Sequence, residues 1–380
     1  MHRLVLNAHH GTPGIIVLPE GGYRRARAEI TAWPGYAPTP LHALPAEGVA
    51  SLHYKDESAR FGLKSFKALG GAYAVARMLG QELARRGTAN NANGAALESG
   101  QYAHATEQIT VTCATDGNHG RSVAWGARRF GARCVIFVHE NVSQGRRDAI
   151  AAFGAEVREV PGNYDDSVRA AQRAADENGW FVISDTSYPG YTEPPRDVMQ
   201  GYRLMAEEAL AQLPSPPTHV FVPGGVGGVA AAVSVQLRHQ APGARLVVAE
   251  PEEAACLLES AAAGEMRAVT GALDTIMAGL ACGEPSLLAW QELERAAFAF
   301  MAVPDSAVAP AMRALHARGI EAGESAVAGL IAFESAMGDA VARAALGLGP
   351  DSRVLIFGTE GATDPELYAR LISQEGASRN

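Results

Sequence analysis

Three segments hold residue types that could do chemistry: Lys67, the turn Thr115-Asp116-Gly117-Asn118-His119-Gly120, and the run Pro223-Gly224-Gly225-Val226-Gly227-Gly228. Lys67 ends Ser65-Phe66-Lys67 at the start of an apolar helix. The first turns of that helix contain Gly70-Gly71, a pair costing about 1 kcal/mol each relative to alanine unless something packs close. A helix start favours anions, so a lysine there either faces solvent or has a task in which its charge is neutralised. A Schiff base with a carbonyl cofactor is such a task. In the second segment, between a predicted strand and helix, Asp, Asn and His are suited to proton transfer and to holding a polar ring substituent. An Asx turn with a helix cap accounts for it equally well.

The third segment places four glycines ahead of a helix N-terminus, a cradle of backbone N–H groups for a phosphate. It is neither a Walker motif nor a full dinucleotide fingerprint, so a phosphate monoester fits better. A reactive lysine, a phosphate cradle and a polar turn on one α/β chain together point to pyridoxal 5'-phosphate.

The elements that must position these residues read as follows. From about residue 108 strands and helices alternate: strand 109–113, helix 121–130, strand 134–138, a helix begun by Ser143, strand 157–160, helix 164–177 and strand 181–183. A second series opens with Pro194-Pro195 and a helix through Leu213, then strands at 219–222, 246–249 and 354–357. The expected fold class is α/β: two open, twisted, mostly parallel sheets flanked by helices, with the site in the crevice between two domains. Residues 1–84 and 196–380 are assigned to a larger cofactor-phosphate domain and 85–195 to a smaller α/β domain. Arg85 to Thr106 reads as a surface loop or partly disordered insertion without chemistry. No repeat of 20 to 50 residues is evident.

Composition narrows the partners. The 380 residues are enough for two or three domains of roughly 150 residues each, and the net charge of −9 gives no reason to expect nucleic acid or anionic lipid. Met1 to Gly14 lacks the apolar stretch of a signal peptide, and no run approaches a membrane span. Four cysteines without C-x-x-C spacing argue against zinc and for the cytosol. Cys113 and Cys134, in predicted buried strands, read as packing residues.

Arg60-Phe61-Gly62-Leu63-Lys64-Ser65-Phe66-Lys67-Ala68-Leu69-Gly70-Gly71 and the Thr115 to Arg121 segment resemble the diaminopropionate ammonia-lyase branch of the fold-type II pyridoxal-phosphate enzymes. So do Tyr164 to Arg169, Met199-Gln200-Gly201-Tyr202, Asp274 to Pro285 and Thr359-Glu360-Gly361, in the same order, from about Tyr36 to Asp364. The resemblance implies elimination of ammonia from D- and L-2,3-diaminopropionate to give pyruvate. It makes Lys67 the Schiff-base lysine and a base over Cα, and Asp116 the second base, for the D isomer, on the opposite face. Phe66 is expected against the cofactor, Asn118 at its ring hydroxyl, Gly224, Gly225, Val226, Gly227 and Gly228 at its phosphate, and Thr359 near its pyridine nitrogen. Tyr164 and Asp185 are expected to line the substrate site with Asp116, and Glu324-Ser325 to lie near the cofactor. His119 reads more simply as a packed residue.

Cys256 and Cys282 match two family positions that can form a disulfide, although the compartment argument expects thiols. Pro223-Gly224-Gly225 is richer in glycine than the family pattern, and Ala362 stands where an acidic residue is expected. Both departures put the substrate in question. A dehydratase of serine, threonine or 3-hydroxyaspartate is therefore the rival reading, and a non-catalytic binder of the cofactor or of an amino acid is a third. A homodimer is expected, with a small amino acid as substrate and no appended allosteric module.

Overall fold

The computed structural model describes residues 3–90, 92–115 and 117–373. The chain divides into two compact units. The first comprises residues up to Val17, Pro38–Ser65 and the chain from Met205 onward; the second comprises Leu18–Ala37 and Phe66–Leu204. This division differs from the expected 1–84, 85–195 and 196–380. The helix Ala68–Arg85 goes with the second unit because it packs on the helix Asn118–Phe130 there: a Cβ on Gly71 would lie 2.5 Å from Ser122 Oγ, and one on Gly126 would lie 2.7 Å from Ala72 Cα.

The first unit is built on a seven-stranded sheet. Its strands are β1 (Arg3–Leu6), β2 (Leu41–Leu44), β3 (Ser51–Asp56), β8 (His219–Pro223), β9 (Arg245–Pro251), β10 (Ala299–Val303) and β11 (Arg353–Gly358), in the order β1-β10-β9-β8-β11-β3-β2. The five inner strands run parallel, and β1 and β2 are antiparallel edges. β8 and β10 are buried at every residue, as expected of parallel strands covered on both faces. The core between sheet and helices includes Tyr54, Phe221, Val247, Met301, Ile331 and Ile356.

A buried ionic cluster fixes the chain ahead of Lys67. Arg60, 1% exposed, donates to both oxygens of Glu57 and both of Glu208, and Lys55 Nζ reaches Glu208 Oε2 at 3.0 Å. Next to this anchor the backbone takes left-handed conformations at Phe61 (φ 48°) and Lys64 (φ 56°), which cost free energy in residues other than glycine. The segment is closed by a bridge from Ser65 to Glu360 and by the Gly361 N–H donating to the Lys64 carbonyl at 2.9 Å.

The second unit holds a four-stranded parallel sheet of β4 (Thr110–Ala114), β5 (Arg133–His139), β6 (Glu156–Val160) and β7 (Phe181–Val182), in the order β6-β5-β4-β7. The alternation read from the sequence produces this sheet. Arg85 to Thr106, expected to be a loop, instead carries two short helices, Gly94–Glu98 and Ala103–Thr106. They are seated by Gly94, whose missing side chain leaves room for Glu29 and Trp33, and by the ion pair of Arg129 with Glu98 at 2.9 Å. Arg129 also lies over the rings of Trp33 and Trp125, 5.2 Å from each centroid.

Removing one partner of a buried ion pair leaves an uncompensated charge. Arg60→Leu is therefore expected to lower stability by about 3–5 kcal/mol, read as a lower midpoint in denaturant unfolding. A change below about 1 kcal/mol, the range of a surface pair, would contradict the role given to this cluster.

Candidate active site

In the second unit Lys67 is the residue before the helix Ala68–Arg85, and its carbonyl accepts Ser122 Oγ at 2.6 Å. Ser122 Oγ in turn accepts the Ala72 N–H at 3.1 Å. This packing needs the bare Gly71, which explains a glycine inside the helix. The Lys67 ammonium, placed where the helix dipole does not favour it, is balanced by Asp185: Nζ lies 2.5 Å from Oδ2. Nζ is also 5.6 Å from the centroid of the Phe66 ring, which packs against Tyr202 at 4.6 Å.

Asp185 follows β7, and the Thr115 to Gly120 turn follows the neighbouring β4, so both lie at the carboxyl edge of the sheet. Thr115 Oγ1 ties the turn by accepting the N–H groups of Gly117 and Gly120 at 3.0 Å each. Asn118 opens the helix Asn118–Phe130, and the buried His119 faces Asp185, Nδ1 to Oδ2 3.8 Å. Asp116 lies outside the described residues. Burial alone pushes the Asp185 carboxyl up, but Lys67, His119 and its hydrogen bonds outweigh burial and hold it well below the usual carboxylate range. Tyr164 starts the helix after β6, the edge strand farthest from β7. The structure thus brings Lys67, His119 and Asp185 together and sets Tyr164 three strands away from β7.

The first unit carries the glycine-rich loop at the end of β8. A Cβ on Gly224 would lie 2.5 Å from Val248 Cγ1, and one on Gly225 would lie 3.1 Å from Cys282 Sγ. Gly227, at φ 96°, caps the helix Gly228–Gln240, and the Ser286 N–H pins the Val226 carbonyl at 2.9 Å. The bare turn at a helix N-terminus is a cradle that side chains would fill, so these residues fit a phosphate group. Thr359 is buried directly after β11. Beside it Glu360 Oε1 accepts the Ser325 N–H at 3.0 Å, and Ser325 Oγ accepts the Gly279 N–H at 3.0 Å. Ala362 donates its N–H to Glu321 Oε1 at 3.1 Å, and the same oxygen accepts Lys64 Nζ at 2.7 Å. A carboxylate is therefore present at Ala362 although the side chain there is not acidic.

All four cysteines are thiols, so the bond that the resemblance allows between Cys256 and Cys282 is not formed. Both thiols border Gly225, Cys256 by donating to its carbonyl at 3.7 Å. Beneath the loop, the fully buried Glu250 accepts the N–H groups of Leu257 and Leu258 at 2.8 Å each. Burial pushes its carboxyl up to about 8 against those two hydrogen bonds.

Residues 32–360 match the family described as pyridoxal-phosphate dependent enzymes. The chain belongs to that family. Its cofactor is accordingly pyridoxal phosphate. Diaminopropionate ammonia-lyase of Escherichia coli K12 is 38% identical over 361 residues, which cover 89% of this chain and 88% of that protein. The Salmonella typhimurium enzyme is 38% identical over 364 residues, covering 89% of each. Among solved structures, holo diaminopropionate ammonia lyase from Escherichia coli superposes with a TM-score of 0.90 at 35% identity, covering 98% of this chain and 97% of that one. The same enzyme with an aminoacrylate-PLP azomethine reaction intermediate gives 0.86 at 34% identity, with the same coverage. Within this family a cofactor held as a Schiff base needs a lysine, and the sequence has three: Lys55, Lys64 and Lys67. Lys55 is fully buried in the ionic cluster and Lys64 is paired with Glu321, which leaves Lys67, beside an aspartate and a histidine, as the one set in polar machinery.

Ser122 and the Ile183 carbonyl do not stand out in the sequence, where His119, though of a type suited to proton transfer, reads more simply as a packed residue. The carbonyl of Ile183 accepts His119 Nε2 at 2.7 Å, a contact across 64 positions that local pattern does not reveal.

Glu250 supplies a pH prediction. Its folded pKa lies above the unfolded value of about 4.3, so between those two values the folded state binds more protons and stability falls as pH rises. From pH 5 to pH 8 the wild type is expected to lose on the order of a few kcal/mol relative to Glu250→Gln, with the two converging below pH 4. Parallel stability curves would contradict it.

Proposed function

We propose that this protein catalyses the α,β-elimination of 2,3-diaminopropionate, as both D and L isomers, taking up one water and releasing pyruvate and two ammonia. The observation that carries this reading is the Lys67 and Asp185 pair, 2.5 Å apart, in a chain 38% identical to diaminopropionate ammonia-lyases over most of its length. Bound pyridoxal phosphate supplies the electron sink for cleavage at Cα. Lys67 anchors it and, as a neutral amine, takes the Cα proton of one isomer. Asp116 takes that of the other from the opposite face, as the resemblance implies. Gly224, Gly225, Val226, Gly227 and Gly228 hold the phosphate, Asn118 the ring hydroxyl and Thr359 the pyridine nitrogen, with Phe66 beside the ring. An uncharged hydroxyl at Thr359 leaves the ring less firmly protonated than a carboxylate would, which favours loss of a β leaving group.

Asp185, kept ionised, holds the substrate's β-ammonium by a charge-assisted hydrogen bond. A β-hydroxyl gains less from that carboxylate, which favours diaminopropionate over serine or threonine. We further propose a homodimer working in the cytosol. No helix among the described residues is long and apolar enough to cross a membrane.

Purified enzyme should release pyruvate and ammonia from D- and L-2,3-diaminopropionate at least about tenfold faster, as kcat/KM, than from serine or threonine. The reverse order would make it a hydroxy-amino-acid dehydratase, and no turnover with bound cofactor would make it a binding protein. Asp116→Asn should depress activity on the D isomer by about 100-fold, a typical general-base effect, and spare the L isomer; equal losses would contradict two separate bases. Four titratable thiols are expected in denatured protein without prior reduction. Two would mean that Cys256 and Cys282 are bonded.

A further inference from the structure

One buried nitrogen beside Lys67 is unaccounted for. His119 Nε2 lies 2.7 Å from the Ile183 carbonyl. A carbonyl only accepts, so this nitrogen carries the ring proton. Burial holds the His119 pKa below 6.5, Lys67 pushes it the same way, and Asp185 opposes them. The ring is therefore neutral at pH 7, and Nδ1 is a bare lone pair. Nδ1 is buried, has no hydrogen-bond partner among the described residues, and lies 3.8 Å from Asp185 Oδ2. That same oxygen accepts Lys67 Nζ at 2.5 Å. Two acceptors face one another, and the Asp185 oxygen is already bonded to the Lys67 ammonium. A proton on Nδ1, with a shift of about 1 Å, turns the gap into a charge-assisted hydrogen bond.

We propose that His119 Nδ1 is the second seat for the proton of the Lys67 ammonium, reached through the Asp185 carboxylate. The proposal rests on the reading of Lys67 as the amine that must become neutral. A neighbouring carboxylate stabilises the ammonium form, yet an ammonium cannot accept a proton from Cα. The transfer resolves this conflict. An Nζ–H bond breaks with its electron pair staying on Nζ, Asp185 Oδ2 takes up that proton and passes it on, and an Nδ1–H bond forms from the Nδ1 lone pair. Ammonium, carboxylate and neutral imidazole become amine, carboxylate and imidazolium, so the net charge of the three groups is unchanged.

Among the described residues, the other titratable groups that act on Lys67, Asp185 or His119 are Cys113, Tyr191 and Tyr202, and burial pushes all three up. They stay protonated at neutral pH and cannot take the proton. Tyr191 also steadies the Asp185 segment, its hydroxyl accepting the Ser184 N–H at 3.0 Å and donating to the Val182 carbonyl at 2.9 Å. His119 is thus a positioning residue for the reaction, acting on Lys67 through Asp185.

The test reads protons directly. Enzyme labelled with 13C at lysine Cε gives three side-chain signals, and 15N-histidine reports the His119 tautomer. Without cofactor, His119 in the wild type should be the neutral Nε2–H tautomer at pH 7. In Lys67→Met, where the ammonium is gone, it should be an imidazolium and titrate at least about one pH unit higher. In the cofactor-loaded wild type it should also be an imidazolium. His119→Gln keeps a donor for the Ile183 carbonyl and lacks the basic nitrogen. Its acid limb of kcat/KM should move up by about one pH unit, with activity regained at higher pH. A neutral His119 in both Lys67→Met and the loaded enzyme would overturn the proposal, as would a His119→Gln loss equal at every pH. If His119→Gln does not fold, the two spectra decide. Failure to form a cofactor absorbance band would instead refute the role of Lys67, which the spectra of the cofactor-free proteins do not depend on.

Discussion

A lysine set at a helix start, 2.5 Å from a carboxylate, is the interaction on which the rest of the site depends. The helix dipole disfavours a cation at this end, and Asp185 supplies a countercharge to Lys67 from the end of β7. The carboxylate that pairs with the lysine opposes the neutral form that the proposed reaction requires, and the buried His119, 3.8 Å from the same oxygen, is the group proposed to relieve that opposition. Ser122 fixes the lysine's own carbonyl, so the side chain starts from a defined point.

Close packing by glycine runs through both units and serves different ends. Gly71 lets the Lys67 helix meet Ser122, and Gly201 admits the Leu69 carbonyl where any side chain would collide. Gly224, Gly225 and Gly227 keep the loop after β8 bare so that backbone amides rather than side chains form its surface. The glycine excess in the composition is thus partly a record of helices drawn together around Lys67 and partly of a bare turn at a helix N-terminus. The buried charges of Arg60, Glu57, Glu208 and Lys55 have a comparable role. They tie down a segment with two left-handed non-glycine residues, whose far end leads into Lys67.

The parallel strands β4, β5, β7, β8, β9 and β11 are legible in the sequence as short apolar runs, and β6, Glu-Val-Arg-Glu-Val, by its place in the alternation of strands and helices. β1, β2, β3 and β10 are not. β3 reads Ser-Leu-His-Tyr-Lys-Asp, which looks like surface because the partner that satisfies Lys55, Glu208, is 153 positions away. The apolar run of β10 follows an amphipathic helix without a turn residue to separate them. Arg85 to Thr106 looked like a loop for the opposite reason: its polar residues hide two short helices held by Trp33, Glu29 and Arg129. In the site, Lys67, Asp185 and the glycine loop could each be named from type and spacing or from family resemblance. The contact between Lys67 and Asp185, 118 positions apart, could not, and neither could the accepting carbonyl of Ile183 that fixes the tautomer of His119.

Lys67 is the proposed carrier of the cofactor. The sequence makes this unusually direct to test because it contains only two other lysines. Borohydride reduction of the loaded enzyme, proteolysis and mass mapping should locate the reduced pyridoxyl group on the peptide containing Lys67, and on no other lysine. Finding it on Lys55 or Lys64, or finding no modified lysine in enzyme that turns over diaminopropionate, would contradict the account.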